Sequence, residues 1–233
     1  MLRFITVLVL LPWAAVPAFG LGQDQLYTGT AATVPPGQVQ FQLFGSTTFS
    51  KAAKLAGTSF TFGATRNFDV KLAYSYLWNF QRPDVQIGPN IGAKWRFVGD
   101  GKAKPSVSMS FLYANSEIGG GVGSSNNAGS LLIVQHPIGP LIFLGNFGRV
   151  WSGNHGADAR YVALALARVV SPKVLAAAQY IELAPLGTGS TRRAYVAAVV
   201  LRSNPKTGCS LQIGYTPETP SKWNATLGVS QYF

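Results

Sequence analysis

Charge is scarce in this sequence. Asp, Glu, Lys and Arg make up 12% of its 233 residues, about half the share of a soluble globular chain. Mean hydropathy is positive at +0.19, which points toward an apolar environment. Long apolar runs are missing as well. Beyond residue 20 no uninterrupted apolar stretch approaches the ~20 residues that a spanning helix needs. Two classes remain: a secreted β-protein and a membrane β-barrel. Cysteine is almost absent. Cys209 stands alone, which excludes an intramolecular disulfide and, by itself, a zinc or iron–sulfur site. Carboxylates number eight and form no calcium-type cluster.

The N-terminus does contain one apolar run. Arg3 precedes the almost wholly apolar stretch Phe4 to Val16, and Ala18, Phe19 and Gly20 then offer small residues at the positions a signal peptidase reads. This is the pattern of a cleavable secretory leader. The expected organisation is a leader over 1–20, an N-terminal periplasmic segment over 21–37 and a β-barrel over 38–233. No cysteine follows the apolar run, so a lipid-anchored N-terminus is not expected. The formal charge is +11. Nucleic acid is the weakest partner for an exported chain whose basic residues are scattered, and none is expected. An anion-attracting lumen or an anionic lipid surface met by Lys51, Lys54, Arg82 and Arg160 remains.

Alternation with a period of two runs through the chain. Val70, Leu72, Tyr74, Tyr76 and Trp78 share one face of a strand, and Lys71, Ala73 and Ser75 the other. Ile87, Ile91, Ala93, Trp95 and Phe97 oppose Gly88, Asn90, Gly92, Lys94 and Arg96. The segments 38–43 and 106–111 alternate in the same way. Successive strand side chains point to opposite faces, so each segment has one apolar wall and one polar or small wall. The pattern predicts about twelve strands near 38–45, 57–65, 70–79, 87–98, 104–114, 129–136, 141–151, 161–170, 173–183, 191–202, 208–215 and 223–233. The alanines of 174–183 also suit a helix; the neighbours favour a strand.

Connections alternate too. Those at 66–69, 99–103, 137–140, 171–172 and 203–207 are tight turns of Gly, Pro, Asn, Asp or Ser. Those at 46–56, 80–86, 115–128, 152–160, 184–190 and 216–222 are mostly longer. Membrane barrels carry short periplasmic turns and longer external loops. The expected fold is therefore all-β: a transmembrane antiparallel up-and-down barrel with both termini periplasmic. A closed sheet leaves no edge whose amides would go unpaired in lipid. The apolar wall would face lipid and the polar wall the lumen. Trp95 and Phe97 fall at the inner end of their strand. Tyr76, Trp78, Trp151, Tyr161, Tyr180, Tyr215 and Trp223 fall at outer ends, as in interfacial girdles.

The last strand places Trp223, Ala225, Leu227, Val229 and Phe233 on one face, with Tyr232 beside the end. Leu227, Val229, Tyr232 and Phe233 resemble the terminal signal that barrel-assembly machinery reads, although Gln231 departs from it. Outer-membrane lipid and lipopolysaccharide are expected neighbours.

Candidate lumen-lining residues are Lys71, Asn90, Lys94 and Arg96, a basic interior that would favour anions; the plainer reading is that the bases neutralise inward carboxylates or simply solvate the lumen. His136 and His155 are the two histidines. His136, beside Pro137, reads as a turn residue. His155 with Ser152 and Asp158 contains the residue types of a triad, but loop polarity explains them. No enzyme, cofactor or metal site is expected. The stretch Gly119 to Gly123 lacks the following helix and Lys-Ser/Thr pair of a phosphate loop. The function read from these features is passive transport or a narrow channel for small molecules. The alternatives are a structural or adhesive outer-membrane protein with a plugged lumen, and a secreted β-sandwich.

The segment Thr65 to Tyr74, followed by Asn90 to Phe97 and a strand led by Pro105, resembles the MetA-like outer-membrane transporter family named for a phenol-degradation pathway. Lys94 two residues after Gly92 is the most telling position. The likeness covers roughly Gln38 to Phe233 and its motifs are loose. It implies the barrel and the passage of small, often aromatic or apolar, compounds, without indicating which.

Overall fold

The computed structural model describes residues 30–48, 53–79, 85–101, 103–118, 123–152, 158–187, 189–204, 206–218 and 222–233. Twelve strands follow one another: β1 (Val39–Thr48), β2 (Ala53–Thr65), β3 (Phe68–Asn79), β4 (Val85–Val98), β5 (Ser106–Ile118), β6 (Gly123–Ile138), β7 (Leu141–Ser152), β8 (Ala159–Ser171), β9 (Val174–Pro185), β10 (Arg192–Asn204), β11 (Thr207–Tyr215) and β12 (Trp223–Tyr232). Each pairs antiparallel with its sequence neighbours, and β12 pairs with β1 to close the barrel. The closure is completed by reciprocal backbone bonds: Phe233 N–H donates to Val39 O at 2.9 Å and Val39 N–H to Phe233 O at 3.2 Å. Among the described residues no helix is long and apolar enough to cross a membrane. The alanines of 174–183 belong to a strand, paired from Val174 to Leu183 with β10. Their helix propensity yields to two flanking ladders.

The outward face is apolar. Leu43, Phe60, Leu72, Ile91, Trp95, Phe111, Leu166, Leu211 and Leu227 are all exposed, as strands in lipid require. On β3, Lys71, Ala73 and Ser75 are buried while Val70, Leu72 and Tyr74 are exposed. On β4 the expected alternation holds from Asn90 to Phe97; a bulge between Ile87 and Asn90 shifts the register above it. Such bulges insert an unpaired residue and locally break the period of two.

Three expectations need correction. Strands reach further at the loop end than the apolar pattern suggested: Asn115 to Ile118 and Gly123 to Ala128, expected as loop, form a paired hairpin with Glu117 opposite Ser124. Backbone pairing there needs no apolar side chains, so hydropathy does not mark it. Residues 119–122 lie outside the described residues. His136 is not in a turn but in β6, exposed and opposite Phe143. Tyr161 is no girdle residue; it faces inward and is 2% exposed.

A further difference concerns the inner wall. It is polar on β11, β12 and β1–β4 and on the turn-side half of β5 (Ser210, Gln212, Thr226, Gln40, Ser59, Lys94, Ser108), but apolar on most of β6–β10. There Ile133, Leu144, Ala163, Ala165, Ala167, Ile181, Val196 and Ala198 are buried. Both faces of these strands are apolar, so polarity cannot assign them. Size does on β8: the Ala163, Ala165 and Ala167 side chains fill the narrow interior, and the bulkier Val162, Leu164 and Leu166 face outward.

Candidate functional site

The four candidate lumen residues are Lys71, Asn90, Lys94 and Arg96, at 1%, 1%, 0% and 5% exposure on the inner face of β3 and β4. Register holds them together. Lys71 lies opposite Gly92, Asn90 opposite Ala73, and Lys94 opposite Asp69 on β3 and Ser110 on β5. Inward-pointing residues two apart on neighbouring strands necessarily form one patch.

Asp69 is the member that sequence reasoning missed. It was read as part of the 66–69 turn, yet it starts the inward row that continues to Lys71, and extending that alternation by one step would have found it. Its carboxylate is fully buried and 3.9 Å from the Lys94 ammonium. Burying a charge is costly unless it is paired, so Lys94 and Asp69 are mutually required. Both readings of the inward bases therefore meet here: Lys94 neutralises a carboxylate, while Lys71 and Arg96 share the same wall.

The second partner of this patch is the segment before β1. Residues 30–38 form a strap that enters the barrel at its turn end. Ala31, Ala32, Thr33 and Val34 are buried, and Ala31 packs in the inner apolar cluster with Leu131, Ile133 and Ala163. The strap is tied on several sides. Val34 N–H donates to Asp69 Oδ2 at 3.1 Å, Lys94 Nζ donates to Thr30 O at 3.3 Å, and Ala31 N–H donates to Gln135 Oε1 at 3.2 Å. Thr33 Oγ1 donates to Arg66 O at 2.8 Å. Gly37 N–H donates to Gly63 O at 2.8 Å, and Gly63 N–H to Gln38 O at 3.0 Å.

Two glycines make room for it. A Cβ on Gly63 would lie 2.1 Å from Pro35 O and 2.5 Å from Val34 O. A Cβ on Gly101 would lie 2.6 Å from Ala32 Cα, and its φ of 72° already favours glycine. Nothing in the sequence marked this seat: a short Ala-Thr-Val-Pro stretch carries no periodicity, and a glycine near a strand end (Gly63) or in a turn (Gly101) has many ordinary explanations.

Arg96 serves the wall rather than the open lumen. Its Nη2 donates to Arg66 O at 2.7 Å and to Asn67 Oδ1 at 2.9 Å, and its Nη1 to Asp100 O at 2.9 Å. It clamps the β2–β3 turn to the β4–β5 turn under the strap. Of the loop residues weighed as a triad, His155 lies outside the described residues, and Asp158 is held by Arg149 Nη2 at 2.6 Å. Among the described residues no group of His, Cys, Asp or Glu could hold a metal ion. Cys209 is a free, exposed strand residue.

Several inner polar atoms have no hydrogen-bond partner among the described residues: both side-chain polar atoms of Gln40 and Asn90, and the hydroxyls of Thr61, Ser108 and Ser110. Gln40 lies opposite Thr61, and Thr61 opposite Lys71. They therefore continue the Lys71–Lys94 patch around the inner wall.

This closed twelve-strand barrel, apolar outside and polar over half its interior, has the fold of outer-membrane porins and channels. It aligns with the KdgM porin at a TM-score of 0.63 and 8% identity, over 83% of this chain and 99% of that one. It aligns with the NanC porin at 0.65 and 8%, over 82% and 98%. An outer membrane channel from Pseudomonas putida F1 aligns at 0.58 and 8%, over 87% and 98%. No family model matches the sequence, and no curated protein sequence does.

Proposed function

We propose that this chain is an outer-membrane channel through which small solutes cross passively, with its short turns and both termini on the periplasmic side. The observation that carries the reading is the inner polar wall of Gln40, Thr61, Asn90, Ser108 and Ser110. Buried polar groups are almost always hydrogen-bonded, and a row of them without partners among the described residues suits a path for water or a polar solute. The structural neighbours named as porins and a channel and the resemblance to MetA-like transporters agree with it. No catalytic role is assigned.

In this reading residues 1–20 are a cleaved leader, and the segment 21–37 comes from the periplasm and enters the barrel, where Ala31 to Val34 are buried. Lys71, Asn90 and Lys94 line the route, and Arg96 braces the turns beside it. Outer-membrane lipid and lipopolysaccharide surround the barrel. Leu227, Val229, Tyr232 and Phe233 form the end read by the barrel-assembly machinery. Phe233 is 69% exposed, and deleting it is expected to lower the outer-membrane level of the protein several-fold. Fractionation of expressing cells measures this; an unchanged level would remove the assembly role.

Ion selectivity tests the route itself. Planar-bilayer recording of the refolded protein is expected to show stepwise conductance with an anion-favouring reversal potential. Lys71→Gln with Lys94→Gln should move that potential toward cations, while Arg96 is left intact because it holds the turns. An unmoved potential would sink the lumen assignment. A second reading, a barrel with a plugged interior and a structural role, is favoured by the buried strap. It predicts no conductance at all.

A further inference from the structure

Exposed charges at the two ends of the barrel are arranged differently. At the loop end the outward arginines of β7, β8 and β10 have carboxylate partners. Arg149 meets Asp158 at 2.6 Å, Arg160 meets Glu182 at 3.2 Å, and Arg193 meets Glu182 at 3.5 Å and Glu218 at 3.7 Å. At the turn end beneath β8–β11, Arg168, Lys173, Arg202 and Lys206 are exposed. None of them forms an ion pair among the described residues, where every pair involves other groups. Among the described residues the acids at that end are Asp69, buried in the lumen, and Asp100, on the distant β4–β5 turn and bonded to the amides of Ala103 and Lys104.

The four bases are close in the fold. Arg202 N–H donates to Lys173 O at 2.8 Å, and Tyr232 N–H to Lys206 O at 2.8 Å, so the β8–β9 turn, the β10–β11 turn and the C-terminus are successive along the rim. The C-terminal carboxylate forms no ion pair with them among the described residues. Beside the bases begins the lipid-facing band, with Leu166, Val170 and Leu201 at 52%, 61% and 47% exposure. Within that band the outward face of β9 is shallow: Ala176 lies opposite Arg168 and Val199, and Ala178 opposite Leu166 and Ala197.

From this juxtaposition we propose that Arg168, Lys173, Arg202 and Lys206 bind the phosphate of an anionic glycerophospholipid, with an acyl chain lying along Ala176 and Ala178. A basic cluster at the edge of an apolar band attracts anionic headgroups, and long basic side chains reach them while their stems stay in the apolar layer. Unmatched positive charge at a membrane boundary calls for a lipid counter-charge, and the continuous apolar surface selects a lipid over a soluble anion. The site depends on the barrel's being membrane-embedded, not on its being a channel.

The test uses delipidated, refolded protein offered an equal mixture of phosphatidylglycerol and phosphatidylcholine, with retained lipid counted by native mass spectrometry. Wild-type protein should retain phosphatidylglycerol at least about tenfold better. The quadruple variant R168Q/K173Q/R202Q/K206Q should lose that preference, and K54Q/K222Q at the loop end should keep it. Ala176→Leu with Ala178→Leu should lower retention with every charge intact. Folding of each variant is checked by the faster gel migration of the unboiled barrel. Equal retention of both lipids by the wild type, or an undiminished preference in the quadruple variant, would overturn the proposal. So would displacement by glycerol 3-phosphate alone, which would make it a site for free phosphate, or tighter retention of lipid A at the same residues. Loss of conductance without loss of retention would strike the channel reading alone.

Discussion

Replacing Gly63 by leucine is expected to raise single-channel conductance several-fold. The glycine sits on the inner face of β2 against the strap, and a Cβ there would lie 2.1 Å from Pro35 O and 2.5 Å from Val34 O. Both atoms are backbone, so no rotamer change relieves the overlap, and one element must move. The wall cannot: β2 is hydrogen-bonded along its length to β1 and β3. The strap can, since beyond Gly37 and Gln38, whose backbone pairs with Gly63, it is held by single bonds to Asp69, Lys94, Gln135 and the Arg66 carbonyl. Its departure would uncover the Lys71–Asp69–Lys94 patch at the turn-end mouth. Gly45→Ala is the control, because a Cβ there meets only Leu55 O at 3.7 Å, an ordinary contact. Recording in planar bilayers decides the matter. A folded Gly63→Leu barrel with wild-type conductance would mean that the strap is not the constriction.

Asp69→Asn is expected to destabilise the barrel by about 3–5 kcal/mol, the usual cost of removing one partner of a buried pair. Asp69 is the carboxylate paired with Lys94, both side chains being 0% exposed, and Lys71 and Arg96 lie on the same wall. The amide would take the carboxylate from a wall that keeps the three buried bases Lys71, Lys94 and Arg96. Lys94 would lose its counter-charge, and the strap would lose a charged acceptor for the Val34 amide. The midpoint of denaturant unfolding, followed by the loss of fast gel migration, measures the change. Pairing Asp69→Asn with Lys94→Gln should recover part of the loss, because a neutral pair escapes the desolvation cost that the lone cation bears. A loss below about 1 kcal/mol for Asp69→Asn would show that the carboxylate is not the counter-ion of the inner bases. The two variants separate different properties: Gly63→Leu changes the strap alone, and Asp69→Asn changes the strap and the charge balance beneath it.

Much of the architecture could be read from residue order. A membrane strand is apolar on one face and polar or small on the other, and the chain can satisfy its backbone in lipid only by closing a sheet. Val70 to Trp78 and Ser106 to Phe111 therefore announce strands with a definite outside, and Lys71 and Lys94 announce an inside. Short and long connections in turn announce an up-and-down order. These are local signals, and the structure keeps them. Where both faces are apolar, as in Ala159 to Val200, the period of two carries no contrast, and the assignment of Ala163 inward and Leu164 outward comes from volume inside a closed wall. Where both faces are polar, as from Ser124 to Asn127, strand pairing extends without any hydropathic mark.

The candidate site divides in the same way. Its wall residues follow from alternation, because side-chain direction on a strand is set by the backbone. Its occupant does not. That residues 31–34 turn into the barrel, that Gly63 and Gly101 leave space for them, and that Asp69 rather than water answers Lys94 are consequences of closure, which brings Gln135 to Ala31 across 104 positions of sequence. The sequence by itself determined the strands, their outward face and the basic surplus. Only the closed barrel decided which charges face each other, which end gathers bases without ion pairs among the described residues, and what fills the mouth, because those depend on distances between residues that no local pattern relates.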